Sequence, residues 1–253
     1  MNGIVDDENK KKIVKLFVTK KLQKNKKIVQ VVVDDIISET SDYKLIKYAD
    51  GVKYYNSQLA LDVYYKSNFY TMDEANNIFN ILENNLEYYN PELTKVKIRG
   101  VYINIPRKQI AYGEAGLSYS FTGTNIKAIN WNEPSIISEI LLHMKNKLNA
   151  LTGNNFNFVL INRYNDGKQH IGYHSDDERN LVDKPNIAGI SFGGIRTVSF
   201  IKIDGEQKID LDLEHGSLFI INNPTNQNWK HSILKTNQHA SPRISLTFRQ
   251  MKI

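Results

Sequence analysis

The sequence predicts an α+β protein whose core is a double-stranded β-helix, or jelly roll. Two stretches with helical spacing of apolar residues precede a run of short strands, and turn residues separate those strands. Many short strands favour two packed sheets, and helices that precede them favour a layer over one of those sheets. The prediction is therefore a jelly-roll core with two helices covering one sheet, plus a basic N-terminal extension.

Both helices are predicted from their caps and their apolar faces. The first follows Thr71, a favourable N-cap, and is expected to stop at Asn90-Pro91. The second spans about residues 135–150, and Gly153 terminates it. The residues expected to face inward are Ile78, Ile81, Leu82, Leu86 and Tyr89 in the first helix and Ile136, Ile137, Ile140, Leu141, Met144 and Leu148 in the second.

The predicted strands fall on both sides of these helices. Leu61–Tyr65 precedes the first helix, and turn pairs such as Asp166-Gly167 separate the strands that follow the second. The later strands are expected at Phe156–Asn162, Ile187–Phe192, Thr197–Ile203, Ile209–Leu213, Ser217–Ile221 and Ile244–Arg249. The main domain is thus placed at residues 59–253, with its jelly-roll core at about 156–253.

Residues 1–58 are predicted to form a separate basic extension. A helix over Lys10–Val18, a strand over Ile28–Val33 and a hairpin over Tyr43–Tyr55 are compatible with a small subdomain. Residues 1–27 hold nine lysines against three acids, so this arm carries the whole net charge of +6 of the 253-residue chain. Three interpretations of the arm stay open: contact with polyphosphate, a solubilising tail and a nuclear-localisation signal.

The composition limits the cellular compartment and the class of metal site. The sequence contains no cysteine, which excludes a disulfide framework and a thiolate metal site. The N-terminus lacks the apolar region of a secretory signal, and the longest apolar run near it is too short to span a bilayer. We therefore expect an intracellular protein, nuclear or cytoplasmic, that acts as a monomer without a membrane.

His174 and Asp176 are candidate metal ligands. A His and an Asp two residues apart on a strand edge or short loop can turn toward one point, and His231 follows downstream. Two imidazoles and one carboxylate form the facial triad of non-haem Fe(II) oxygenases, which leaves three coordination positions for a 2-oxo acid and dioxygen. A His-x-Asp pair alone is more often a surface feature, but the distal His followed by arginines favours the metal site.

Arg243 and Arg249 follow His231 on the predicted terminal strand. Because side chains alternate along a strand, two arginines six residues apart are expected on the same face. A guanidinium binds a carboxylate through two parallel hydrogen bonds. We therefore predict that Arg249 binds the distal carboxylate of the 2-oxo acid and that Arg243 lines the same pocket.

Several long motifs resemble the AlkB family of Fe(II)/2-oxoglutarate dioxygenases and occur in the family's order. The resemblance covers about residues 60–253 and is greatest to members that repair alkylated double-stranded DNA. The matching stretches are PRKQIAYGEAGLSYSFTG (Pro106–Gly123), FNFVLINRYNDGKQHIGYHSDDE (Phe156–Glu178), IAGISFGGIR (Ile187–Arg196), HGSLFIINNPTNQNWKHS (His215–Ser232) and PRISLTFR (Pro242–Arg249).

This resemblance implies the same jelly-roll fold and an enzyme that uses Fe(II), 2-oxoglutarate and O2. Such an enzyme converts 2-oxoglutarate to succinate and CO2, hydroxylates the methyl group of 1-methyladenine or 3-methylcytosine in single- or double-stranded DNA, and releases formaldehyde. Two alternatives stay open, an AlkB-like RNA demethylase and a non-catalytic nucleic-acid-binding module. The resemblance also implies that Asn162 and Tyr164 bind 2-oxoglutarate, whereas Ser245 departs from the Asn usual in the family.

The resemblance also implies contacts with the substrate. Tyr119 and Phe121 lie in a nucleotide-recognition lid at about residues 95–130, where an aromatic ring stacks on an extruded base, although their alternation also fits a core strand. Glu178 is implied to accept a hydrogen bond from the amino edge of the base. Arg107 and Lys108 are candidate phosphate contacts.

Arg99 stands where the duplex-repairing members carry an aromatic finger. A guanidinium stacks on bases and binds phosphate, but it is a poorer apolar wedge than a phenyl ring. Unstacking costs least for an unpaired base, so a weaker wedge predicts a larger preference for single strands. Tyr102, three residues further on, is an alternative finger that would restore activity on duplexes.

Overall fold

Two β-sheets face each other in the computed structural model, which describes residues 36–98, 100–121, 124–237 and 240–253. The predicted helix Lys10–Val18, the strand Ile28–Val33 and the lysine-rich arm lie outside these residues, as do Arg99 and the side chain of Phe121. No helix in the described ranges is both long and apolar enough to cross a membrane.

The strands and helices of the described chain alternate irregularly along the sequence. The strands are β1 (Ile36–Glu39), β2 (Lys44–Tyr48), β3 (Gly51–Asn56), β4 (Leu61–Lys66), β5 (Lys95–Ile98), β6 (Val101–Asn104), β7 (Lys108–Gly113), β8 (Ser118–Phe121), β9 (Thr124–Lys127), β10 (Ile129–Asn130), β11 (Phe158–Tyr164), β12 (Ile171–His174), β13 (Ile187–Gly193), β14 (Arg196–Lys202), β15 (Lys208–Leu213), β16 (Ser217–Ile221), β17 (Trp229–Ile233) and β18 (Arg243–Arg249). The helices are α1 (Met72–Asn85), α2 (Ile136–Thr152) and the short α3 (Thr225–Asn228), and a 3₁₀ helix spans Pro91–Thr94.

The larger sheet carries the helices on one face and the smaller sheet on the other. Its ten strands run in the order β1-β2-β3-β4-β16-β13-β18-β11-β7-β10, and the smaller sheet has the order β12-β17-β14-β15. One core cluster joins α1 and α2 to the larger sheet, and a second fills the space between the two sheets. The predicted jelly roll with two helices covering one sheet is confirmed.

The two faces of strand β18 point to different parts of the protein. Ile244, Leu246 and Phe248 belong to the core under the helices. Arg243 and Arg249 alternate with them and face the space between the sheets. The expectation that both arginines share one face of the strand is met.

Helix α1 begins as expected and ends early. Thr71 and Glu74 form a capping box, in which the Thr71 hydroxyl accepts from the Glu74 N–H at 3.3 Å and the Glu74 carboxylate accepts from the Thr71 N–H at 2.9 Å. The predicted stop at Asn90-Pro91 is wrong, because the helix ends at Asn85 with an extended Leu86 as C-cap. The N–H of Tyr89 donates to the Gln109 carbonyl at 2.9 Å. This segment therefore bonds to strand β7 and does not continue the helix.

Helix α2 matches its predicted bounds closely. The Ser135 hydroxyl accepts from the Ser138 N–H at 3.0 Å, and Gly153 closes the helix with a φ of 69°. Most of the predicted inward face is buried, but Ile140 is only partly buried and Ile136 is 45% exposed. Ile136 is the first residue of the helix.

The described part of the N-terminal extension continues the larger sheet. The hairpin predicted around Asp50-Gly51 is formed by β2 and β3, and β3 pairs with β4 up to Asn56 opposite Leu61. The chain therefore passes from the extension into the core by direct strand pairing. The domain boundary at residue 58 stays a prediction.

Candidate active site

The two histidines of the proposed triad lie opposite each other on paired strands. His174 ends β12 and is the register partner of His231 in β17, which places the two ring centroids 4.4 Å apart. Neither strand is among those predicted from the sequence, because each has only four or five residues. Antiparallel pairing brings two residues 57 positions apart into direct contact.

Asp176 completes the triad from the segment that follows β12. Its N–H donates to the Asn226 side-chain oxygen at 3.0 Å, and the Asn226 amide donates back to its carbonyl at 2.8 Å. This reciprocal pair directs the carboxylate toward the histidines, with Oδ1 at 3.6 Å from Nε2 of His174 and 4.0 Å from Nε2 of His231. The three ligand atoms lie within 4.8 Å of one another, a spacing suited to a single metal ion.

Burial and the buried carboxylate both shift the pKa values of the triad side chains. Burial alone would lower the pKa of His174, but its hydrogen bond to Asp176 and the charge of that carboxylate raise it. Nδ1 of His174 lies 2.9 Å from the Gly172 carbonyl, which can only accept, so Nδ1 carries a proton and Nε2 is the nitrogen left to bind a metal. Burial lowers the pKa of His231 to about 3, so its imidazole is neutral. Burial alone would raise the pKa of Asp176, but the neighbouring Arg249 and both histidines hold it well below its usual range. Neutral imidazoles and an ionised carboxylate are the forms that bind metal.

Arg249 belongs to the metal end of the site. Its Nη2 lies 2.9 Å from Oδ2 of Asp176, and its Nε lies 3.1 Å from the same oxygen and 3.4 Å from Oε1 of Glu178. These two acidic partners argue against Arg249 as the residue that binds the distal carboxylate of the 2-oxo acid, and that role stays a prediction. Sequence spacing places both arginines on one face but does not show which one an internal acid neutralises.

Arg243 is a buried guanidinium that has no acidic partner among the described residues. It is 1% exposed, donates from Nε to the Ser191 hydroxyl at 2.8 Å, and donates from Nη2 to the Ser245 hydroxyl at 3.2 Å. Its Nη1 is buried and bonds to no described residue. Burial lowers the pKa of Arg243 to about 10, so it is still a cation at neutral pH. Ser245, the departure noted in the sequence, orients this arginine.

One cavity of about 50 Å³ connects the triad with Arg243. Its polar wall includes all three triad residues, both arginines, and Asn162 and Tyr164, which the sequence analysis assigned to the 2-oxo acid. The remaining lining residues are Tyr119, Leu160, Ile171, Ile187, Val198, Leu213, Phe219, Ile221, Ile233, Ser245 and Thr247. The cavity thus offers metal ligands at one end, a cation at the other and aliphatic walls between them.

Tyr119 and Glu178 lie beside the metal end. Tyr119 is 8% exposed, lines the cavity, and stacks on Phe158 with ring centroids 6.1 Å apart. It is therefore a core residue as well as a cavity residue, and its stacking on a base stays a prediction. Burial raises the pKa of Glu178, and its Oε2 is buried without a hydrogen-bond partner in the described chain.

Arg107 turns inward instead of toward solvent. Its Nε donates to the Asn162 side-chain oxygen at 2.9 Å, and its Nη1 donates to the His170 carbonyl at 3.2 Å. The structure therefore argues against Arg107 as a phosphate contact, because the guanidinium is committed to the protein interior. Lys108 is exposed, with its ammonium 5.8 Å from the Tyr88 ring, and it stays a candidate phosphate contact.

The hairpin β5–β6 carries an exposed apolar patch. Gly100 adopts a φ of 84° at its turn, and Val101, Tyr102 and Ile103 beyond it are 62%, 64% and 46% exposed. Lys97 lies opposite Tyr102 in the register, with its ammonium 5.6 Å from the ring centroid. Tyr102 is thus accessible for the finger role predicted for it, whereas Arg99 lies outside the described residues.

Sequence reasoning missed three residues that support the site. Asn226 holds Asp176, Ser191 holds Arg243, and Gln109 donates to the Asn162 side-chain oxygen at 2.8 Å. None of them lies in a metal-ligand or carboxylate-binding motif, and each acts across more than 45 residues of sequence. Only strand pairing and the placement of α3 reveal them.

Comparison with known proteins agrees with this geometry. The model of the 2OG-Fe(II) oxygenase superfamily matches residues 62–249. The chain belongs to that superfamily. The oxygenase is 40% identical over 186 residues to the human DNA oxidative demethylase ALKBH2, covering 70% of this chain and 69% of the relative. It is 33% identical over 153 residues to human alpha-ketoglutarate-dependent dioxygenase alkB homolog 3, covering 57% of this chain and 51% of that one.

These matches place the oxygenase in the AlkB family, as the motifs indicated. The solved structure of OsALKBH1 aligns with 74% of this chain and 97% of that chain at 16% identity, with a TM-score of 0.48, a similarity too weak to carry an argument.

The residues present fit the cofactors of the superfamily. Two imidazoles and one carboxylate form the donor set of a non-haem Fe(II) site, and the guanidinium of Arg243, which has no acidic partner in the described chain, matches a dicarboxylate co-substrate. The protein is an Fe(II)/2-oxoglutarate-dependent dioxygenase. His174, Asp176 and His231 would hold the iron, and Arg243 would hold the far carboxylate of 2-oxoglutarate.

Proposed function

We propose that this oxygenase is an oxidative demethylase of N-alkylated bases in DNA, such as 1-methyladenine and 3-methylcytosine. The observation that carries the proposal is the 40% identity to a protein named DNA oxidative demethylase, in a chain whose triad and carboxylate-binding arginine share one cavity. We further propose that it acts as a monomer in the nucleus or cytoplasm.

Some residues of the site bind the co-substrate, and others orient the metal ligands. When bound, Fe(II) supplies the oxidising chemistry, in which O2 converts 2-oxoglutarate to succinate and CO2 and turns one methyl C–H bond of the base into C–OH. The C–N bond of that product then breaks without a further oxidant, so formaldehyde leaves and the nitrogen keeps its electron pair. Arg243 holds the co-substrate by one carboxylate, and Arg249 keeps Asp176 ionised and aimed at the metal position.

Glu178 is the proposed acceptor for the base. Its carboxylate is 6% exposed, and its Oε2 has no partner among described residues although Oε1 lies 3.4 Å from Arg249. An unpaired buried acceptor is costly, and a hydrogen bond from the exocyclic amine of adenine or cytosine would remove that cost. A carboxylate also favours a ring that carries the positive charge of N-methylation.

A turnover assay with methylated oligonucleotides tests the proposal. Formaldehyde and succinate are measured with 1-methyladenine or 3-methylcytosine in single-stranded DNA, duplex DNA and RNA of one sequence, and with unmethylated controls. We expect stoichiometric formaldehyde from the methylated DNA and none from His174→Ala. Faster turnover of the methylated RNA than of the methylated DNA would indicate that the enzyme is an RNA demethylase. Binding of DNA without turnover of any methylated strand would indicate a non-catalytic module.

The exposed hairpin supports a proposal about strand preference. We propose that Tyr102 acts as the wedge that fills the place of an extruded base, because its ring is 64% exposed beside the turn of β5–β6. Tyr102→Ala should lower the rate on duplex DNA several-fold more than the rate on the same single strand, since unstacking a paired base costs a few kcal/mol. Asn104→Ala on the same hairpin is the matched control.

Relative rates of the unaltered enzyme test the wider prediction. A Tyr102 wedge would allow activity on the duplex, but unstacking a paired base still costs a few kcal/mol, so we expect activity on both forms with a preference for the single strand. Rates on the methylated duplex equal to or above those on the single strand would contradict this expectation. An equal loss on both forms in Tyr102→Ala would make Tyr102 a general contact and not a wedge.

The lysine-rich arm supports a second proposal about binding. Residues 1–27 carry nine lysines, which would add affinity for any nucleic acid by releasing counterions. Deleting them should weaken DNA binding and flatten the dependence of the binding constant on salt, while turnover of short, saturating single strands stays nearly unchanged. An unchanged salt slope would show that the arm does not touch phosphate.

A further inference from the structure

Two side chains at the start of β7 donate hydrogen bonds to the side-chain amide of Asn162. Nε of Arg107 and Nε2 of Gln109 both donate to Oδ1 of Asn162, at 2.9 and 2.8 Å. Gln109 is the register partner of Asn162 between β7 and β11, and the two residues are 2% and 6% exposed. Both lone pairs of the Asn162 oxygen are therefore occupied within the protein.

Arg107 decides which way this amide faces. A guanidinium has donors and no acceptor, so the atom it meets must be the oxygen of Asn162 and not the nitrogen. The amide of Gln109 has no such constraint, because it can rotate to offer either its oxygen or its nitrogen. With the oxygen held by Arg107, the NH2 group is what Asn162 offers to the cavity that it lines.

We propose that Arg107 is a positioning residue for 2-oxoglutarate, which keeps the NH2 of Asn162 directed at a carboxylate of the co-substrate. The proposal rests on the assignment of this cavity to 2-oxoglutarate. If Arg107 is removed, the amide is free to rotate and to present its oxygen to a negatively charged carboxylate. The second bond of Arg107, to the His170 carbonyl, ties the same guanidinium to the segment that leads into β12 and His174.

Direct binding separates this role from a phosphate contact. The full-length protein is loaded with Mn(II), which occupies oxygen and imidazole sites without turnover, and 2-oxoglutarate is titrated calorimetrically. Arg107→Ala and Arg107→Lys should both raise the Kd for 2-oxoglutarate roughly 10-fold, the worth of one hydrogen bond to a charged group. The Kd for a single-stranded oligonucleotide, measured by fluorescence anisotropy, should change less than 2-fold.

The lysine variant is the decisive one. A lysine keeps the charge but cannot bridge two acceptors with a planar fork. If Arg107 bound phosphate, Arg107→Lys would largely restore DNA affinity, Arg107→Ala would weaken it, and neither would alter the Kd for 2-oxoglutarate. That pattern would overturn the proposal.

Two further variants guard against a general loss of structure. Arg163→Ala removes the neighbouring arginine of β11, which pairs with Glu83 of α1 on the opposite face, and it should leave the Kd for 2-oxoglutarate unchanged. Asn162→Ala should raise that Kd, and adding Arg107→Ala to it should raise the Kd no further, because the amide to be positioned is gone. Additive losses in the double variant would show that Arg107 acts by another route.

The proposed function and this inference fail separately. A protein that binds 2-oxoglutarate as described but demethylates no methylated strand would leave the positioning role intact and remove the demethylase. At saturating 2-oxoglutarate, Arg107→Ala should keep a kcat within about 2-fold of the unaltered enzyme while its KM for 2-oxoglutarate rises, as expected for lost binding that is equal in the ground and transition states.

Discussion

The two ends of the cavity differ in whether the protein supplies the counter-charge. At the metal end Arg249 is paired with Asp176 and Glu178. At the other end Arg243 has no acidic partner in the described chain, and it donates hydrogen bonds to the hydroxyls of Ser191 and Ser245. Both arginines lie on one face of β18 and are at most 3% exposed. Their difference therefore comes from their partners and not from burial.

The pKa values of the two guanidinium groups differ for the same reason. Burial lowers the pKa of both arginines, but the adjacent Asp176 and Glu178 reverse this for Arg249, whose pKa is raised. No acid does so for Arg243, and its pKa falls to about 10. Because Arg243 lacks an anion and its buried Nη1 has no hydrogen-bond partner within the described protein, it marks the place where a ligand would bring an anion.

The largest effect is expected at the metal end. Asp176→Ala should abolish demethylation and also lower the free energy of unfolding of the metal-free protein by about 3 kcal/mol, because Arg249 is left buried with only Glu178 beside it. His174→Ala should abolish demethylation as well, but with a loss of only about 1 kcal/mol, since its side chain is 32% exposed. Formaldehyde release and urea denaturation measure the two quantities.

Full activity in either variant would remove that residue from the ligand set. The same test applies to His231→Ala, which we also expect to be inactive. Equal stability losses in Asp176→Ala and His174→Ala would show that the ion pair with Arg249 contributes little to folding.

The second effect contrasts the two arginines directly. Arg249→Met should destabilise the metal-free protein by about 3–5 kcal/mol, because it leaves two buried carboxylates without their cation. Arg243→Met should leave the free energy of unfolding unchanged or raise it slightly, because it removes a buried charge that has no acidic partner in the described chain. The affinity of the Arg243→Met variant for 2-oxoglutarate should fall about 100-fold or more, since the ion pair between the guanidinium and the far carboxylate of 2-oxoglutarate is lost.

Calorimetry on the Mn(II)-loaded protein and urea denaturation of the metal-free protein check this contrast. Arg243→Lys and Arg249→Lys refine it, since a clearly raised KM for 2-oxoglutarate is expected chiefly for Arg243→Lys. A larger rise in the KM for 2-oxoglutarate in Arg249→Lys than in Arg243→Lys would indicate that Arg249 binds the distal carboxylate, as the sequence predicted.

The smallest effect is expected at a serine that orients Arg243. Ser191→Ala removes the hydroxyl that accepts from Nε of Arg243 at 2.8 Å, and it should weaken 2-oxoglutarate binding about 3- to 10-fold. Ser217→Ala is the control, because Ser217 is the register partner of Ser191 in β16 and bonds instead to the Glu214 carbonyl. Similar changes in binding for both serines would mean that Ser191 does not orient the arginine.

Much of the fold was predictable because it depends on local patterns. The caps at Thr71 and Ser135 and the αL residue Gly153 mark helix ends with side-chain or backbone chemistry that neighbouring residues supply. The end of α1 was misplaced because the apolar spacing continues to Tyr89, although that residue bonds to the edge of the sheet. Strands β12 and β17 were missed because four or five residues are too few to establish a strand period.

The sequence by itself determined the kind of chemistry. His174, Asp176 and His231 followed by two arginines on one strand face specify a metal and an acidic co-substrate, because ligand type and strand period are properties of the residues themselves. Only the tertiary structure decided which arginine serves which end. That choice depends on whether a carboxylate lies within hydrogen-bonding distance of the guanidinium, and Asp176 reaches Arg249 across 73 residues of sequence only once the two sheets are packed.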